Sequence, residues 1–476
     1  SADAYTGTDT LTVTFSATIE GADDVTYAWD FGDGTISTEA APVHTYSASG
    51  YYTVTLEIAD TANPERTASF DGGDAFIKVM PSVCYVRKAG ESTPVEPYGT
   101  PQTAANDLYS ASLMQPAKID VGEGDIPVGN IAEFYIYAPI EIRGHGREVT
   151  RINLGGGNKR IFLRNDDAVL ADLTVRNGYA GGSWNEGMVN IDAAGATVTN
   201  CVIRDGSRAN DGLVAIKDAG GRLIDCVVCN GTMSSGRGGG VSVRKTGNAV
   251  PLGVIDRCVI TNNTVRGINS AWGKEAAKGS GGGILVYDGA RARVRNTLVA
   301  NNRIVAAGAA HTENYGAGLY AGVNADVSLE NCTIVSNSVD YGHSAGLYAC
   351  ATATLAVTNT VVWGNFAGGD TGTPAGDDIG ALDGATMTFS HCLAPEFANA
   401  PAAWTVEACK SGDPLFKNFD AGDYTFGGFS PLANGGAKME WMAGAVDLRG
   451  FSRMQGKPDI GCYECAAGEG LTILVR

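Results

Sequence analysis

The sequence predicts an all-β protein in which an N-terminal β-sandwich is followed by a right-handed, single-stranded parallel β-helix with a C-terminal cap. Three observations predict this class. The first stretch alternates short strands with turn residues, as in "YAWDFGDGTIS" and "HTYSASGYYTVTLEI". One phrase then recurs along the chain, for example as "NCVIRDG" from Asn200 and "NCTIVSNS" from Asn331. Glycine is abundant (65 residues) and proline is scarce (16), which favours strands and turns over helices.

The recurring phrase has the period of a solenoid. Its Cys or Thr falls, roughly 25 to 39 residues apart, at positions 201, 226, 258, 297, 332, 360 and 392. Each copy also contains a strand that opens with glycines, such as "GGGVSV" or "GAGLYA", and no long helix separates the two strands. This absence excludes leucine-rich and α/β solenoids. We therefore expect an inward ladder of Cys and Thr, and a turn ladder of Asn200, Asn296, Asn331 and Asn359.

Changes of pattern along the chain divide it into three parts. Residues 1–80 form the predicted sandwich, residues 81–395 the β-helix, and residues 396–476 a cap, or anchor-proximal region, at the C-terminal end. We expect the repeat to provide the scaffold. We therefore expect the functional residues to lie where the repeat is interrupted.

Charge and hydropathy exclude several classes of partner. The formal net charge is -18 and the pI is near 4.7, so the average field repels nucleic acid, anionic lipid and polyanionic glycans. No apolar run approaches the roughly 18 residues of a transmembrane helix, and no signal peptide opens the chain. We expect a mature, soluble monomer without a nucleic-acid partner or transmembrane segment.

The eleven cysteines are interpreted as mainly structural. Five of them occupy the same position of the repeat, where buried thiols behave as small hydrophobic groups. The pairs in "CVVC" (226–229) and "CYEC" (462–465) match C-x-x-C. Because alternate side chains of a strand diverge, we do not expect zinc or redox chemistry in "CVVC". An odd count leaves at least one thiol without an intramolecular disulfide partner.

The N-terminal part resembles a PKD domain. The resemblance is carried by Trp29-Asp30-Phe31-Gly32-Asp33-Gly34, then His44-Thr45-Tyr46, then Gly50 with "YTVTL". It implies a small extracellular Ig-like sandwich that acts as a spacer or carbohydrate-proximal module. No catalytic role is expected for this part.

The remainder resembles secreted bacterial right-handed β-helix proteins of the pectate-lyase-like, choice-of-anchor Q kind. The motifs are "YVRKAG", the repeated rungs, "DPLF", "DY", "SP" and "DIGCYE", which together span roughly residues 84 to 465. The resemblance implies an exported, surface-associated bacterial protein. It implies no particular reaction, because one fold supports many chemistries.

A first candidate site lies on the glycine-led strands. If their Val and Ile residues point inward, strand alternation sends Asp192, Lys217, Arg244 and Tyr287 outward in one line. Asn190, Ser242, Tyr320 and Tyr348 occupy neighbouring outward positions. Such a row suits a sugar chain that lies along the stack. The alternative is an ordinary solvated face, since exposed strand faces are normally polar.

A second candidate site lies in the insertions 264–280, 303–316 and 338–345, which precede those strands. Insertions in a solenoid emerge at one edge, so their functional side chains are expected to gather around one cleft. These side chains are Trp272, Lys274, His311, Glu313, Tyr315, Tyr341 and His343. The predicted glycan contacts from both candidate sites are Trp272, Lys274, Tyr287, Tyr315, Tyr320, Tyr341, His343 and Tyr348.

A polysaccharide lyase is one hypothesis for this cleft. Such an enzyme needs a base beside a uronate and a cation that neutralises the carboxylate. Lys217 is the predicted base and Arg244 the predicted neutraliser, while His311 or Tyr315 donates to the leaving oxygen. The acidity of the chain opposes this hypothesis. Ca2+ bound by Asp192 and its neighbours would compensate, and no other cofactor is implied.

A glycoside hydrolase and a non-enzymatic glycan-binding module are the alternatives. Hydrolysis needs two carboxylates roughly 5 to 10 Å apart. The candidates are Glu186, Asp192, Asp211, Asp288 and Glu313. In a binding module or adhesin, the tyrosines and Trp272 would only stack on sugar rings. We rank degradation of a polysaccharide, such as a host or dietary glycan, just above binding, and lyase level with hydrolase.

Overall fold

The computed structural model describes residues 1–179, 186–207, 211–234, 237–245, 247, 250–266, 280–305, 314–340, 342–368, 378–454 and 456–465. The chain forms two compact units. Unit 1 comprises residues 1–130 and 140–145, and unit 2 comprises residues 131–139 and 146–476. Helical segments of the described chain are short: Leu108–Ser112, Pro395–Asn399, Phe419–Ala421 and Glu440–Met442. The all-β fold class is confirmed.

The N-terminal sandwich in unit 1 consists of three small sheets. One sheet contains the strands Thr6–Thr8, Ile77–Met80 and Gly50–Tyr52, the second Leu11–Thr14 and Val43–Tyr46, and the third Ile36–Ser37, Val25–Asp30, Thr55–Asp60 and Thr67–Asp71. Its core includes Phe15, Trp29 and Tyr46. Phe31 stacks on His44 at 4.2 Å, and the Tyr46 hydroxyl donates to the Phe31 carbonyl at 3.1 Å. The aromatic residues Trp29, Phe31 and Tyr46 of the PKD resemblance therefore lie in the sandwich core.

The rest of unit 1 contains the strands Val83–Val86, Lys118–Val121, Glu141–Gly144 and Gly124–Pro127. The first three pair in parallel, in that order. The helix Leu108–Ser112 begins at Asp107, whose carboxylate accepts the Ser110 backbone N–H at 2.8 Å. This carboxylate satisfies one N–H group of the first turn, which has no partner within the helix.

Unit 2 is a parallel β-helix. Each turn of the coil adds one strand to each of three parallel stacks, which we call sheets A, B and C. Sheet A contains Val169–Ala171, Thr197–Thr199, Gly220–Ile224, Leu252–Asp256, Arg291–Arg295, Asp326–Glu330, Thr354–Thr358, Thr386–Ser390 and Thr405–Glu407. Sheet B contains Thr150–Asn153, Thr174–Arg176, Val202–Arg204, Val227–Cys229, Val259–Thr261, Leu298–Ala300, Thr333–Val335 and Val361–Trp363.

Sheet C is formed by the glycine-led strands. It contains Glu133–Ile136, Arg160–Leu163, Val189–Ile191, Val214–Lys217, Val241–Arg244, Ile284–Val286, Leu319–Ala321, Leu347–Ala349 and Ile379–Ala381. A minor stack contains Thr232–Met233, Thr264–Arg266, Arg303–Val305, Ser338–Val339 and Phe366–Ala367, and Asn314–Tyr315 pairs with Gly342–His343. The prediction that residues far apart in the sequence become neighbours on the stack is confirmed.

The predicted inward ladder occupies the position that precedes strands of sheet B, as Cys201 precedes Val202–Arg204. Its members are Cys201, Cys226, Cys258, Thr297, Cys332, Thr360 and Cys392, and all are buried. Each thiol donates to a carbonyl of the preceding rung, as Cys258 does to Leu223 at 3.4 Å. The small weak donors therefore find partners without water.

A second polar ladder was not predicted. Asn263, Asn302 and Asn337 each donate through Nδ2 to the Oδ1 of the next rung's asparagine, at 2.9 to 3.0 Å. The last member, Asn365, donates to Asp378 at 2.6 Å. These asparagines are buried. Their bonds along the stack satisfy amide groups that cannot reach solvent.

The expected turn ladder is realised only in part. Asn200, Asn296, Asn331 and Asn359 all adopt the left-handed conformation, with φ between 48° and 51°, which asparagine tolerates well. Asn359 donates to the Asn331 Oδ1 at 3.1 Å, whereas Asn296 turns to the Val446 carbonyl at 3.5 Å. The common property of these positions is therefore the turn geometry.

The C-terminal residues cover the last rungs of sheet B. The strands Phe416–Asn418 and Asp423–Phe426 form a hairpin. Phe426, Leu432 and Ile460 pack with Val361 and Leu393. Among the described residues, no helix has the length and apolarity required to cross a membrane. The boundaries predicted at residues 80 and 395 remain predictions.

Candidate functional site

The outward row of sheet C carries four charged or aromatic side chains. Lys217 lies opposite Arg244 in the register of the sheet. Ile191 pairs with Ile216 and Val243 pairs with Val286, so Asp192 and Tyr287 continue the same row on the neighbouring strands. The order along the stack is therefore Asp192, Lys217, Arg244 and Tyr287, as the strand alternation predicted.

The charges at the start of this row form an internal network. Lys217 Nζ lies 3.9 Å from Asp192 Oδ1, and the two side chains are only 7% and 3% exposed. Arg164 Nε donates to the other Asp192 oxygen at 3.1 Å. Burial raises the pKa of Asp192 and lowers the pKa of Lys217, because desolvation disfavours both charged forms. A lysine with a lowered pKa can exchange a proton more readily, but little of this one reaches solvent.

Asp211 holds the other end of the row together. This buried carboxylate accepts from Arg244 NH1 at 3.2 Å and from the Tyr287 hydroxyl. The Arg244 guanidinium lies 4.4 Å from the centre of the Tyr287 ring. Burial raises the pKa of Asp211 and keeps the pKa of Tyr287 well above its usual range. Asp211 was predicted only as a possible hydrolase carboxylate, and its pairing with Arg244 was not predicted.

Two neighbouring outward positions are covered. Asn190 is buried and donates to the Gly187 carbonyl at 2.9 Å, and Ser242 is buried and donates to the Asp211 carbonyl. The segments before the strands therefore fold over this part of sheet C. At these positions the expectation of a free outward face is wrong, because both side chains are buried and donate to the backbone carbonyls of Gly187 and Asp211.

A groove lined by tyrosines lies further along sheet C. The Tyr315 and Tyr348 rings stack at 4.2 Å, and Tyr320 lies 5.8 Å from Tyr348. Tyr315 and Tyr348 border two cavities of about 390 and 770 Å³. We call the two cavities together the tyrosine groove. Its lining includes the predicted contacts Tyr287, Tyr315, Tyr320, His343 and Tyr348.

The smaller cavity is polar on one side. Asp288 lines it with one oxygen bound to the Val323 backbone N–H at 2.9 Å. The Tyr320 hydroxyl lies 2.8 Å from the Cys350 sulfur. Arg237 also lines this cavity. Acidic, phenolic and cationic groups therefore surround a space large enough for a small organic ligand.

The larger cavity is lined in part by residues of the segment 393–408, which were not predicted as site residues. Glu396 lines it and accepts the backbone N–H groups of Asp378 and Ile379 at 3.0 and 3.1 Å. Trp404 also lines it and packs on Phe389 at 5.3 Å. The available signal was position: this segment follows the weakest copy of the repeat, "HCLA", and its tryptophan, Trp404, stands among small residues.

Several predicted residues lie outside the described part of the chain. They are Trp272, Lys274, His311, Glu313 and Tyr341. Their proposed roles, and those of Lys217, Arg244 and Asp192 in catalysis, remain predictions.

The surroundings of Asp192 do not fit a bound calcium ion. The cations Arg164 and Lys217 flank this carboxylate from two directions, and their charge repels a further cation. Among the described residues, no group of three or more His, Cys, Asp or Glu side chains is arranged to hold a metal ion.

Comparison with protein families identifies both parts of the chain. A family described as the right-handed β-helix region matches residues 140–392. The chain belongs to this right-handed β-helix family. The PKD domain family matches residues 2–71. Both resemblances drawn from the sequence motifs, to a PKD domain and to a right-handed β-helix, are thereby confirmed.

Curated relatives match only short parts of this β-helix protein. Collagenase ColQ1 of Bacillus cereus is 51% identical over 108 residues, which are 23% of this chain and 10% of that protein. Collagenase ColA of Bacillus cereus is 31% identical over 103 residues, 20% of this chain and 10% of the relative. Pre-pro-metalloprotease PrtV of Vibrio cholerae is 56% identical over 43 residues, 9% and 5% of the two chains. The chain thus spans a tenth or less of these relatives.

Two similar solved structures are catalytic domains of a GH87 α-1,3-glucanase. The complex with nigerose has 11% identity and a TM-score of 0.30, covering 81% of each chain. A complex with tetrasaccharides has 12% identity and a TM-score of 0.21, covering 79% of this chain and 91% of that chain. At these values the likeness carries no argument about the site.

Proposed function

We propose that this β-helix protein is an exported bacterial protein that binds a polysaccharide in the tyrosine groove of sheet C. The observation that carries the proposal is the group of stacked tyrosines, of which Tyr315 and Tyr348 line both cavities and Tyr320 lines the smaller one. Aromatic faces and edges are well suited to the apolar faces and hydroxyl groups of sugar rings. The N-terminal PKD domain supports an extracellular setting.

The charges favour a neutral glycan over a uronate polymer. Arg164, Lys217 and Arg244 are each paired with a buried carboxylate, so these cations have little charge to offer an acidic substrate. The groove itself is lined by three carboxylates, Asp288, Asp383 and Glu396, which outnumber the cation Arg237 in its described lining. Together with a net charge of -18, these carboxylates repel polyuronates. Among the three hypotheses, this pattern supports the lyase least.

Hydrolysis is the second candidate, since the larger cavity presents two carboxylates, Asp383 and Glu396. Glycoside hydrolysis requires one acid and one base or nucleophile on opposite sides of the bond. In that case, new reducing ends would appear with a neutral glycan and would be lost in both Asp383→Asn and Glu396→Gln. Binding alone would give retention without new reducing ends.

The proposal predicts which aromatic substitutions weaken binding. Trp404→Ala and Tyr320→Ala should each lower affinity for a retained neutral glycan about three- to tenfold, because each removes one ring worth roughly 0.5–1.5 kcal/mol. The measurement is affinity electrophoresis or titration calorimetry over a panel of neutral and uronate-containing polysaccharides, with absorbance of unsaturated products recorded in parallel.

The matched control is Tyr137→Ala. Tyr137 is an exposed tyrosine of the same unit that contacts Arg164 and does not line the groove. Its loss should leave the affinity unchanged. Equal weakening by all three substitutions, or no retention on any glycan, would overturn the proposal. An absorbance signal that requires Lys217 and Arg244 would instead restore the lyase hypothesis.

A further inference from the structure

The last thiol of the inward ladder, Cys392, has a second thiol, Cys409, as its neighbour at the end of the stack. Thr386–Ser390 and Thr405–Glu407 pair in parallel with Ser390 opposite Glu407, and a bridge joins Leu393 to Lys410. Cys392 and Cys409 lie between these pairs and therefore face each other. The Cys392 backbone N–H donates to the Cys409 sulfur at 3.3 Å, and Lys410 N donates to the Cys392 carbonyl at 2.8 Å.

We propose that Cys392 and Cys409 form a reversible disulfide that closes the segment 393–408 into a loop. Parallel neighbours are separated by about 4.8 Å, which falls within the Cα separation of about 4.4–6.8 Å that disulfides adopt. Both residues are free thiols here. The shared register and the N–H···S contact bring the two sulfur atoms together.

Solvent access distinguishes this pair from the other thiol neighbours of the ladder. Cys201 and Cys226 also follow one another, as do Cys226 and Cys258, but these three are buried inside the coil. Cys409 lies on the terminal rung and is partly exposed. An oxidant can therefore reach Cys409 without separation of the rungs of the β-helix.

The two thiols have different reactivities. Contact with Cys392 lowers the pKa of Cys409, whereas burial raises the pKa of Cys392 well above its usual value. Since the thiolate is the nucleophile in exchange, Cys409 is the attacking group and Cys392 is the resolving group.

The oxidant is a disulfide, either a low-molecular-weight compound or the active site of an oxidoreductase. The Cys409 thiolate attacks one sulfur of that disulfide and releases a thiolate, which takes up the Cys409 proton. The Cys392 sulfur then attacks Cys409 in the mixed disulfide. The second thiolate leaves and takes up the Cys392 proton. One disulfide is reduced to two thiols, and one disulfide is formed.

The consequence concerns the wall of the larger cavity. The segment 393–408 supplies Pro395, Glu396, Asn399 and Trp404 to that wall. A disulfide between its two ends restricts the conformations of the open segment. The oxidised protein should therefore keep this wall in place for a longer fraction of time than the reduced protein. This inference does not depend on what the cavity binds.

The disulfide is tested on the full chain by incubation with oxidised or reduced glutathione and non-reducing peptide mapping. An endoproteinase that cuts after glutamate separates the two cysteines, because Glu396 and Glu407 lie between them. In the oxidised sample we expect the two peptides as one cross-linked species, about 2 Da lighter than their sum. We also expect chymotryptic cleavage at Trp404 to slow at least fivefold.

The control variants separate this disulfide from general oxidation. Cys409→Ser should lose both the cross-link and the protection while it keeps its melting temperature in reducing buffer. Cys229→Ser, which removes another partly exposed thiol, should keep both. Glutathione attached to Cys409 without a cross-link would overturn the proposal. So would a cross-link that joins Cys392 or Cys409 to any other cysteine.

Discussion

At the scale of single residues, the buried ion pairs of sheet C are the most informative feature. Asp211 has no exposure and binds both Arg244 and Tyr287. A buried carboxylate costs free energy unless it is paired and hydrogen-bonded. Arg244 and Tyr287 therefore stabilise the packing around Asp211 at least as directly as they could bind a ligand.

Removal of the Asp211 charge should destabilise the protein. Asp211→Asn leaves Arg244 without its partner, and the expected loss is about 3 kcal/mol. A lower melting temperature in differential scanning calorimetry would show it. The control is Asp326→Asn, which breaks the exposed ion pair with Arg291 and should change stability by less than about 0.5 kcal/mol. Equal melting temperatures for the two variants would contradict the assignment.

At the scale of elements, the buried asparagine ladder ends at a carboxylate. Asp378 accepts from the Asn365 side chain and backbone. Burial, together with the nearby Glu396, raises the pKa of Asp378 to about 7. The folded state therefore binds this proton more tightly than the unfolded chain does. The favourable contribution is complete below pH about 4 and is lost as pH rises through about 7.

This linkage predicts a pH-dependent effect of Asp378→Asn. The amide is neutral at every pH and can accept the same bonds from Asn365, so the variant should be more stable than the wild type at pH 8, by about 1 kcal/mol or more. The difference should shrink as pH falls and vanish below pH about 4, where Asp378 is protonated in both the folded and the unfolded chain. Melting temperatures of both proteins between pH about 3.5 and 8 test this. A difference that is constant with pH would refute it.

At the scale of the whole molecule, the acidic charge of the protein and the neutral character of the proposed ligand together predict how affinity depends on salt concentration. Affinity for a neutral glycan should change less than about twofold between 50 mM and 500 mM salt, because no net charge is neutralised on binding. Any weak association with a polyuronate should strengthen as salt screens the repulsion. Titration at the two salt concentrations measures both. Neutral-glycan affinity that falls tenfold with salt would indicate an ionic mode instead.

The sequence predicted the scaffold because a solenoid contacts itself through nearest neighbours in a regular period. The repeated Cys and Thr indicated the inward ladder, and strand alternation placed Lys217 beside Arg244 in the same row. It also brought Tyr320 and Tyr348 to the same groove. These inferences required only a periodicity of two along a strand and one rung per repeat.

The sequence by itself determined the fold class, the two family resemblances and the row of outward side chains, because each is written as a local or periodic pattern. Only the tertiary structure decided what covers that row. The segment that carries Asp211 covers Ser242, and the segment 393–408 brings Glu396 and Trp404 to the groove. Irregular segments have no sequence period. Where they fold therefore depends on which buried groups need hydrogen-bond or ion-pair partners.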